Sequence, residues 1–533
     1  MRIPKEHLRL YLVCLVTGFA CYVSLFSNAL VNQYDGLYVP SHFLAGAGND
    51  WHEVLIGRWF WPFLDRIRYG YAGDPFQSYL SLAILSVGHV LFAEFFSVAG
   101  KKRAYAVCVF LQTSTVVCVF LSYRYMSPTF ALSYTLALAS AYLSTKEGKD
   151  RRGMIFFAAL STLCCVLSLG LFQAHLGCTC LMMAAWIVHL CLEKDTGLRQ
   201  IFTYIARCAV ILVCGMIIYK VIWDISLRVT GTQLTSYEGV DTVTVSNIVT
   251  SLPRGIVECY RMCGMYFLGN TIKYSAFQPG RIHQAMMVLT VLLFVWLIAK
   301  LFMRDAKKGL VVLCILPLIA PALSVYNLLA PDYGMMLIHM TAPFMMLFPV
   351  ILLTVMDAGW CPSVWAGRIC VLLLAMGIYG NIYQTACDLT VMQESTKASE
   401  TLMADMVHTL IDQGIYTRER EITYAFVGRP SDNPMYQKSG LWNGANDYAR
   451  VGEFWISTEG LAMDTVTDCI RMDYYGLLRN LGIELTICPD PVYDELKLME
   501  EVQAMPLYPA EGSIRRVGDV YVIKVSHAFD EEP

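Results

Sequence analysis

The chain has 533 residues, of which 56% are hydrophobic and 16% charged. Soluble domains average roughly 45–50% apolar and about 25% charged residues, so an ordinary soluble enzyme is excluded. The net charge of −3 gives no basic field of the kind that gathers nucleic acid.

About 20 helical residues cross a ~30 Å hydrocarbon core, and runs of this length recur through the first three quarters of the chain. The periodicity predicts eleven spans, at about 8–31, 77–99, 104–122, 128–145, 154–172, 175–192, 201–225, 284–303, 309–330, 335–356 and 367–386. The first lacks a small-x-small cleavage site and runs into Asn28 and Asn32, so it reads as a retained anchor. Orientation follows from Lys and Arg. Arg2, Lys5 and Arg9 precede span one; alternate loops then carry Lys101-Lys102-Arg103, Lys146 with Arg151-Arg152, Lys194 with Arg199, and Arg304 with Lys307-Lys308. The N-terminus is therefore expected in the cytoplasm and, with an odd number of spans, the C-terminal tail outside. Most of the 19 cysteines lie in apolar runs, where thiols act as small hydrophobes. Cys178 and Cys180 lack the spacing and second ligand pair of a zinc site.

Three regions then lie on the outer face: loop 32–76, loop 226–283 and the tail from 387. Loops of this length are usually functional or disordered. The stretch Trp51–Tyr71 mixes aromatics with Arg58, Asp65, Arg66 and Arg68, and predicts one amphipathic helix lying in the interface. The division is thus a membrane part, 1–386, and an extracytoplasmic α/β domain, 387–533, packed over the outer face. Within the tail the pattern predicts helices at Thr390–Gln413, Asp468–Leu481 and Tyr493–Gln503. It also predicts strands at Ile422–Val427 and Ile483–Cys488, and a hairpin over Ile514–Val525 around Gly518-Asp519.

The tail contains no nucleophile elbow, P-loop, GxGxxG or HExxH. Chemistry is expected instead on the membrane face, where loop one is densest. Asp35 follows span one, and Asp50-Trp51-His52-Glu53 and Gly57-Arg58-Trp59-Phe60-Trp61-Pro62 come next. A carboxylate at headgroup depth can accept a proton from a sugar hydroxyl, and an arginine fork can hold a phosphate. The same residues have plainer readings. Asp35, Asp50 and Glu53 serve equally as surface acids, Trp51, Trp59 and Trp61 as an aromatic belt, and Arg58 as a structural partner of Asp65. Arg124 has no acid in its own short loop and must face a cavity, an anionic ligand or lipid headgroups. Gln173 and His175 interrupt apolar runs, marking either a polar pocket or a satisfied core histidine. Asp332 is a second acid or a turn residue between Pro331 and Gly334. In the tail, Trp442–Trp455, with Asn443, Asn446, Asp447 and Tyr448, offers sugar contacts or an ordinary loop core.

Asp35, Trp51, Gly57-Arg58-Trp59 and Pro62 resemble the opening loop of the Gtr type II glucosyltransferases, bacterial and phage-encoded membrane enzymes that decorate surface polysaccharides. Ser168-Leu169-Gly170-Leu171-Phe172-Gln173-Ala174 is similar to that family's Ser-Leu-x-aromatic-Gln-small segment. Met505-Pro506-Leu507-Tyr508-Pro509 with Gly512-Ser513-Ile514 resembles the ending of clostridial-type members. Many members carry two adjacent acids after span one; here Gly36 follows Asp35, which leaves Asp35 alone or with Asp50. The resemblance implies a GT-C-like polytopic helical fold in a bacterial plasma membrane, and a catalytic acid in the first outer loop. It also implies a polyprenyl-phosphate sugar as donor and a polysaccharide or cell-wall polymer as acceptor. On this reading Asp35 or Asp50 acts on the acceptor and Arg58 and Arg124 hold the donor phosphate. Trp51, Trp59, Gln173, His175 and Asp332 line the pocket, and no metal or other cofactor is required. A transporter or flippase for lipid-linked glycans would need polar residues across the midplane, where this chain is mostly apolar. A non-catalytic envelope scaffold and an O-antigen ligase or polymerase are the other readings.

Overall fold

The computed structural model describes residues 4–30, 52–67, 75–123, 126–148, 150–232, 245–268, 281–329, 331, 340–357, 363–416, 422–436, 439–446, 474–479 and 481–527. The chain divides into two compact units. The first is Met1–Val23, Ala45–Leu121 and Met126–Thr385; the second is Ser24–Leu44, Ser122–Tyr125 and Ala386–Pro533.

The first unit is helical. Its elements are α1 (Lys5–Ser27), α2 (His52–Leu55), α3 (Trp61–Ile67), α4 (Phe76–Phe95), α5 (Lys102–Gln112), α6 (Thr115–Ser122), α7 (Ser127–Ser144), α8 (Arg151–Leu169), α9 (Leu176–Leu192), α10 (Leu198–Thr230), α11 (Val245–Leu268), α12 (Arg281–Arg304), α13 (Ala306–Leu323), α14 (Val325–Leu329), α15 (Ala342–Asp357) and α16 (Val364–Asp412). Among the described residues eight helices are long and apolar enough to cross a membrane, or nine if α5 and α6, bent by 46° at their junction, form one span. A helix stands at each of the eleven expected positions, but α7 and α15 fall short of that test for physical reasons. Ser, Thr and Tyr interrupt α7, which is buried along most of its length. α15 has 16 residues and is buried on every face up to Val355. A helix surrounded by protein does not need a lipid-facing stripe.

Small hydroxyl residues line the crossing of α7 and α8. Ser133 and Ser140 on α7 meet Ser168 and Ser161 on α8, with Ser168 Oγ donating to the Ser133 carbonyl at 2.9 Å and Ser161 Oγ to the Ser140 carbonyl at 2.8 Å. Both pairs lie seven residues apart, so one seam of small side chains lets the backbones approach, as membrane helices require. The bend between α5 and α6 is equally specified. The Tyr22 hydroxyl lies 2.9 Å from the Gln112 carbonyl and 3.0 Å from that of Ser114, and Asn381 Nδ2 donates to the Phe110 carbonyl at 3.1 Å. Carbonyls freed by the break are thereby satisfied in a place without water.

Part of the segment expected as a long loop after span seven is helical. α10 continues to Thr230 and is closed by Gly231 in the left-handed region (φ +69°). α11 is amphipathic, burying Gly255, Cys259, Met262 and Tyr266 while Leu252, Ile256 and Val257 stay exposed. A Cβ on Gly255 would sit 2.7 Å from the Leu328 carbonyl, so α11 and α14 touch through backbone there. Loop one also differs from expectation. Two short helices, α2 and α3, replace the single interfacial helix, because Gly57 turns the chain at φ +85°.

In the second unit α16, which begins in the first, supplies residues Ala386–Asp412. The expected last span and the expected tail helix are one helix, since no proline interrupts Val364–Asp412. β1 (Thr423–Val427), β2 (Thr486–Ile487), β3 (Ile514–Val517) and β4 (Val520–Lys524) form a sheet of order β2-β1-β4-β3. β1 pairs parallel with β2 and β4; β3 and β4 form the expected hairpin, Val517 facing Val520 across Gly518-Asp519. Three further helices are α17 (Gly440–Asn446), residues 474–479, and α18 (Asp490–Leu498), which is separated at Met499 from a last turn, Glu500–Gln503. β2 is thus shorter than the expected strand, and the expected helix 493–503 is broken. Phe426 stacks on Tyr474 with ring centres 4.7 Å apart, and the Tyr475 hydroxyl donates to the Tyr424 carbonyl at 2.6 Å. Buried Asn433 donates to the carbonyls of Tyr508 and Val525 and so fixes the chain leaving β4. Trp442 is core: it is buried against Val391 and donates from Nε1 to Ser395 Oγ at 3.1 Å. Asn443 is exposed, whereas Asp447, Tyr448 and Trp455 lie outside the described residues.

Candidate active site

The described part of loop one is held in a cradle made by the α8–α9 turn and α10. Gly57 is its centre. The Gly57 amide donates to the Val54 carbonyl at 3.1 Å and the Arg58 amide to that of Glu53 at 2.7 Å, closing α2. Gln173 Nε2, in the turn before α9, donates to the Ile56 carbonyl at 2.8 Å and to the Tyr219 hydroxyl at 3.0 Å. Tyr219 in turn donates to the Gly57 carbonyl at 3.1 Å, and Trp223 Nε1 to the Val54 carbonyl at 2.7 Å. Tyr219 and Trp223 are four residues apart, so α10 presents both on one face. The Phe60 amide donates to the Gly170 carbonyl at 2.9 Å, and a Cβ on Gly170 would meet the Trp59 ring at 2.7 Å. Gly57 and Gly170 are therefore required by close approach, the first also by its positive φ.

This packing buries Trp59 and Trp61, at 6% and 0% exposure, where an interfacial belt was expected. Arg58 lies beneath them. Its Nη1 pairs with Glu53 Oε2 at 3.1 Å, both side chains being about nine-tenths buried. The guanidinium carbon stands 5.5 Å from the Trp61 ring centre and 5.2 Å from that of Phe172. Among the described residues Glu53 pairs with Arg58; the side chain of Asp65, the partner weighed from the sequence, lies outside them. A buried guanidinium held by one carboxylate and two aromatic faces has its fork fixed in direction, which is the preorganisation that anion recognition needs.

His175 is fully buried, its Nδ1 2.9 Å from Ser133 Oγ. Phe120, Tyr134 and Phe172 meet its ring edge-on at 5.4, 5.8 and 5.0 Å. Phe172 therefore separates His175 from Arg58 and touches both.

Of the residues singled out from the sequence, Arg58, Trp59 and Gln173 come together around Gly57, and His175 stands one aromatic ring away. Asp35, Asp50, Trp51, Arg124 and Asp332 lie outside the described residues. The described end of α1 is at Ser27, eight residues before Asp35 rather than within one turn of it. The sequence reading missed Tyr219, Trp223, Ser133 and the ion-pairing role of Glu53. The signal available for the first two was a pair of large aromatics, spaced by four, in an aliphatic span. Among the described residues no three His, Cys, Asp or Glu side chains gather as metal ligands.

The fold and cradle define a membrane protein in which the segment His52–Ile67 is clamped onto α10 and the α8–α9 turn by hydrogen bonds to its backbone. The family model for glucosyl transferase GtrII matches residues 43–354, and the chain belongs to that family. It is a membrane glycosyltransferase. The match takes in Arg58, Trp59, Gln173 and His175, together with Asp50, Trp51, Arg124 and Asp332, and begins after Asp35. No curated protein and no solved structure matches the chain.

Proposed function

We propose that this protein moves a hexose, glucose by family membership, from a polyprenyl-phosphate donor to a surface polysaccharide or cell-wall polymer on the outer face of a bacterial plasma membrane. Membership of the GtrII family carries this reading. The chain is proposed to cross the membrane eleven times in a GT-C-like arrangement, with its N-terminus inside and residues 387–533 outside.

In the proposed reaction Asp35 accepts the proton of the acceptor hydroxyl, whose oxygen attacks the anomeric carbon. The bond from that carbon to the phosphate oxygen breaks, its electron pair leaves with the polyprenyl phosphate, and the centre inverts. Arg58, directed by Glu53, Trp61 and Phe172, and Arg124 bind the phosphate and stabilise the charge that grows on it. Asp50 is the second acid of the loop. Trp51, Trp59, Gln173, His175 and Asp332 shape the pocket, Gln173 and His175 by fixing loop one and the turn beneath it. A phosphate leaving group makes no demand for a metal, and a lipid-linked donor suits a site on the side where nucleotide sugars are absent.

The test is incubation of the purified protein in lipid with labelled polyprenyl-phosphate hexoses and candidate polymers. Specific transfer from one donor supports the proposal; no transfer from any of them, by folded protein, overturns it.

A further inference from the structure

Two cavities lie end to end inside the first unit. The first is bounded by Ser114, Thr115, Tyr266, Met286, Thr290 and Phe344. The second is bounded by Leu181, Ala185, Phe294, Ile319, Val350 and Thr354. Leu347 lines both. The same two helices supply successive walls: α12 gives Met286 and Thr290 and then Phe294 and Leu297, while α15, with Thr341 just before it, gives Phe344 and then Val350 and Val355. From Thr341 to Val355 is about 21 Å at 1.5 Å per residue, some two thirds of a ~30 Å hydrocarbon core.

We infer that these cavities form one track that holds the linear isoprenoid chain of the lipid-linked donor, with Leu347 at its neck; this rests on the donor class proposed above. The walls are mainly Phe, Met, Leu, Ile and Val, with Ser114, Thr115, Thr290, Thr341 and Asn381 at the first cavity and Thr354 at the second, and flexible thioethers at Met286, Met287 and Met345 fit an irregular methyl-branched chain. Space exists because α5 bends into α6 and small Ser114 and Thr115 occupy the corner. One end of the track adjoins the site. A Cβ on Gly177, two residues after His175, would stand 2.7 Å from the Pro343 ring at the start of α15. α6 runs from Thr115 in the cavity wall to Ser122, with Phe120 against His175. A lipid whose phosphate is held beside the Arg58 cradle would reach the track past the packed rings of Phe172, His175 and Phe120.

The experiment uses full-length protein in nanodiscs and a polyprenyl phosphate carrying a photoreactive diazirine along its chain, with adducts mapped by mass spectrometry. Adducts are expected on Met286, Thr290, Phe294 and Leu297 and on Met345–Val355, competed by unlabelled polyprenyl phosphate and not by excess phospholipid. Leu347→Trp fills the neck and is expected to remove adducts from Val350–Val355 while leaving those at Met286 and Met345. It should also raise KM for a long-chain donor by about tenfold, the effect of losing a few buried methylenes, with a ten-carbon donor unaffected. Ala185→Leu, which fills the second cavity from the α9 side, is the companion variant if Leu347→Trp does not fold. Adducts confined to exposed Val291, Leu292 and Val295, or competed equally by phospholipid, overturn the track. Adducts in the track without sugar transfer by wild type sink the donor reading alone, and transfer with lipid-facing adducts sinks the track alone.

Discussion

Replacing Gly57 by alanine tests the cradle at its tightest point. The substitution has two costs. At φ +85° an L side chain is strained, by about 1–2 kcal/mol for the left-handed region. The new Cβ would also collide with the Tyr219 hydroxyl and stand 2.7 Å from Gln173 Nε2, so both groups must move and the bonds to the Gly57 and Ile56 carbonyls are lost. Each buried hydrogen bond contributes about 1 kcal/mol, and the sum is about 3–4 kcal/mol. Gly231→Ala supplies the control: φ is +69° and a Cβ there meets nothing within 4 Å, so only the backbone cost of about 1–2 kcal/mol remains. Unfolding of both variants in the same detergent, beside wild type, separates the terms. Gly57→Ala is expected to lose about 2 kcal/mol more than Gly231→Ala and to lose sugar transfer in proportion to the misplaced loop. Equal stabilities for the two variants would refute the packing of loop one on α10 and Gln173.

Glu53→Ala should cost about 3–5 kcal/mol, because it takes the paired carboxylate from a buried guanidinium, and Arg58→Met in the same chain should recover much of the loss; a thermal-unfolding cycle of the four proteins checks this. In the tail, burial foremost pushes the Tyr508 hydroxyl, which donates to Asp405 at 2.7 Å, up to about 12 from an ordinary 10. Its folded-state proton is held more tightly than in the unfolded chain, so the stabilisation is complete below pH 10 and is lost as pH rises towards 12. Hydrogen exchange over residues 505–526 should therefore quicken across that window, and less steeply in Tyr508→Phe. A protease site inserted after Arg450 should be cut only from outside the cell; cutting only from the cytoplasm would reverse the proposed orientation.

The helices of the first unit were legible because lipid and buried protein both demand long apolar runs, and the tail hairpin because Gly518-Asp519 marks its turn. What local pattern could not carry was tertiary. The Arg58–Glu53 pair spans five residues, which matches no helical spacing, and forms only because Gly57 turns the chain between α2 and α3. Trp59 and Trp61 have the composition of an interfacial belt, and only tertiary packing, of Trp59 on Gly170 and the α10 aromatics and of Trp61 on Phe130, makes them core. Tyr219 looked like one more apolar residue in a span until its hydroxyl met the Gly57 carbonyl. The union of the last span with the tail helix was hidden because the change from apolar to polar composition reads as a boundary, although nothing in 364–412 breaks a helix. Gln173 was visible as an amide interrupting an apolar run, and its partner, the backbone of loop one, was not.

The central claim is transfer from a lipid-linked donor with a loop-one carboxylate as base, and one measurement reaches it directly. Wild type, Asp35→Asn and Asp50→Asn are reconstituted in lipid and assayed for transfer of labelled glucose from polyprenyl phosphate to polymer, with donor binding measured in parallel. Asp35→Asn keeps the size and removes the basicity, so turnover should fall by about 10²–10⁴-fold while donor binding holds. Near-normal turnover by folded Asp35→Asn beside a dead Asp50→Asn would contradict the assignment of the base, and normal turnover by both would contradict a loop-one carboxylate mechanism altogether.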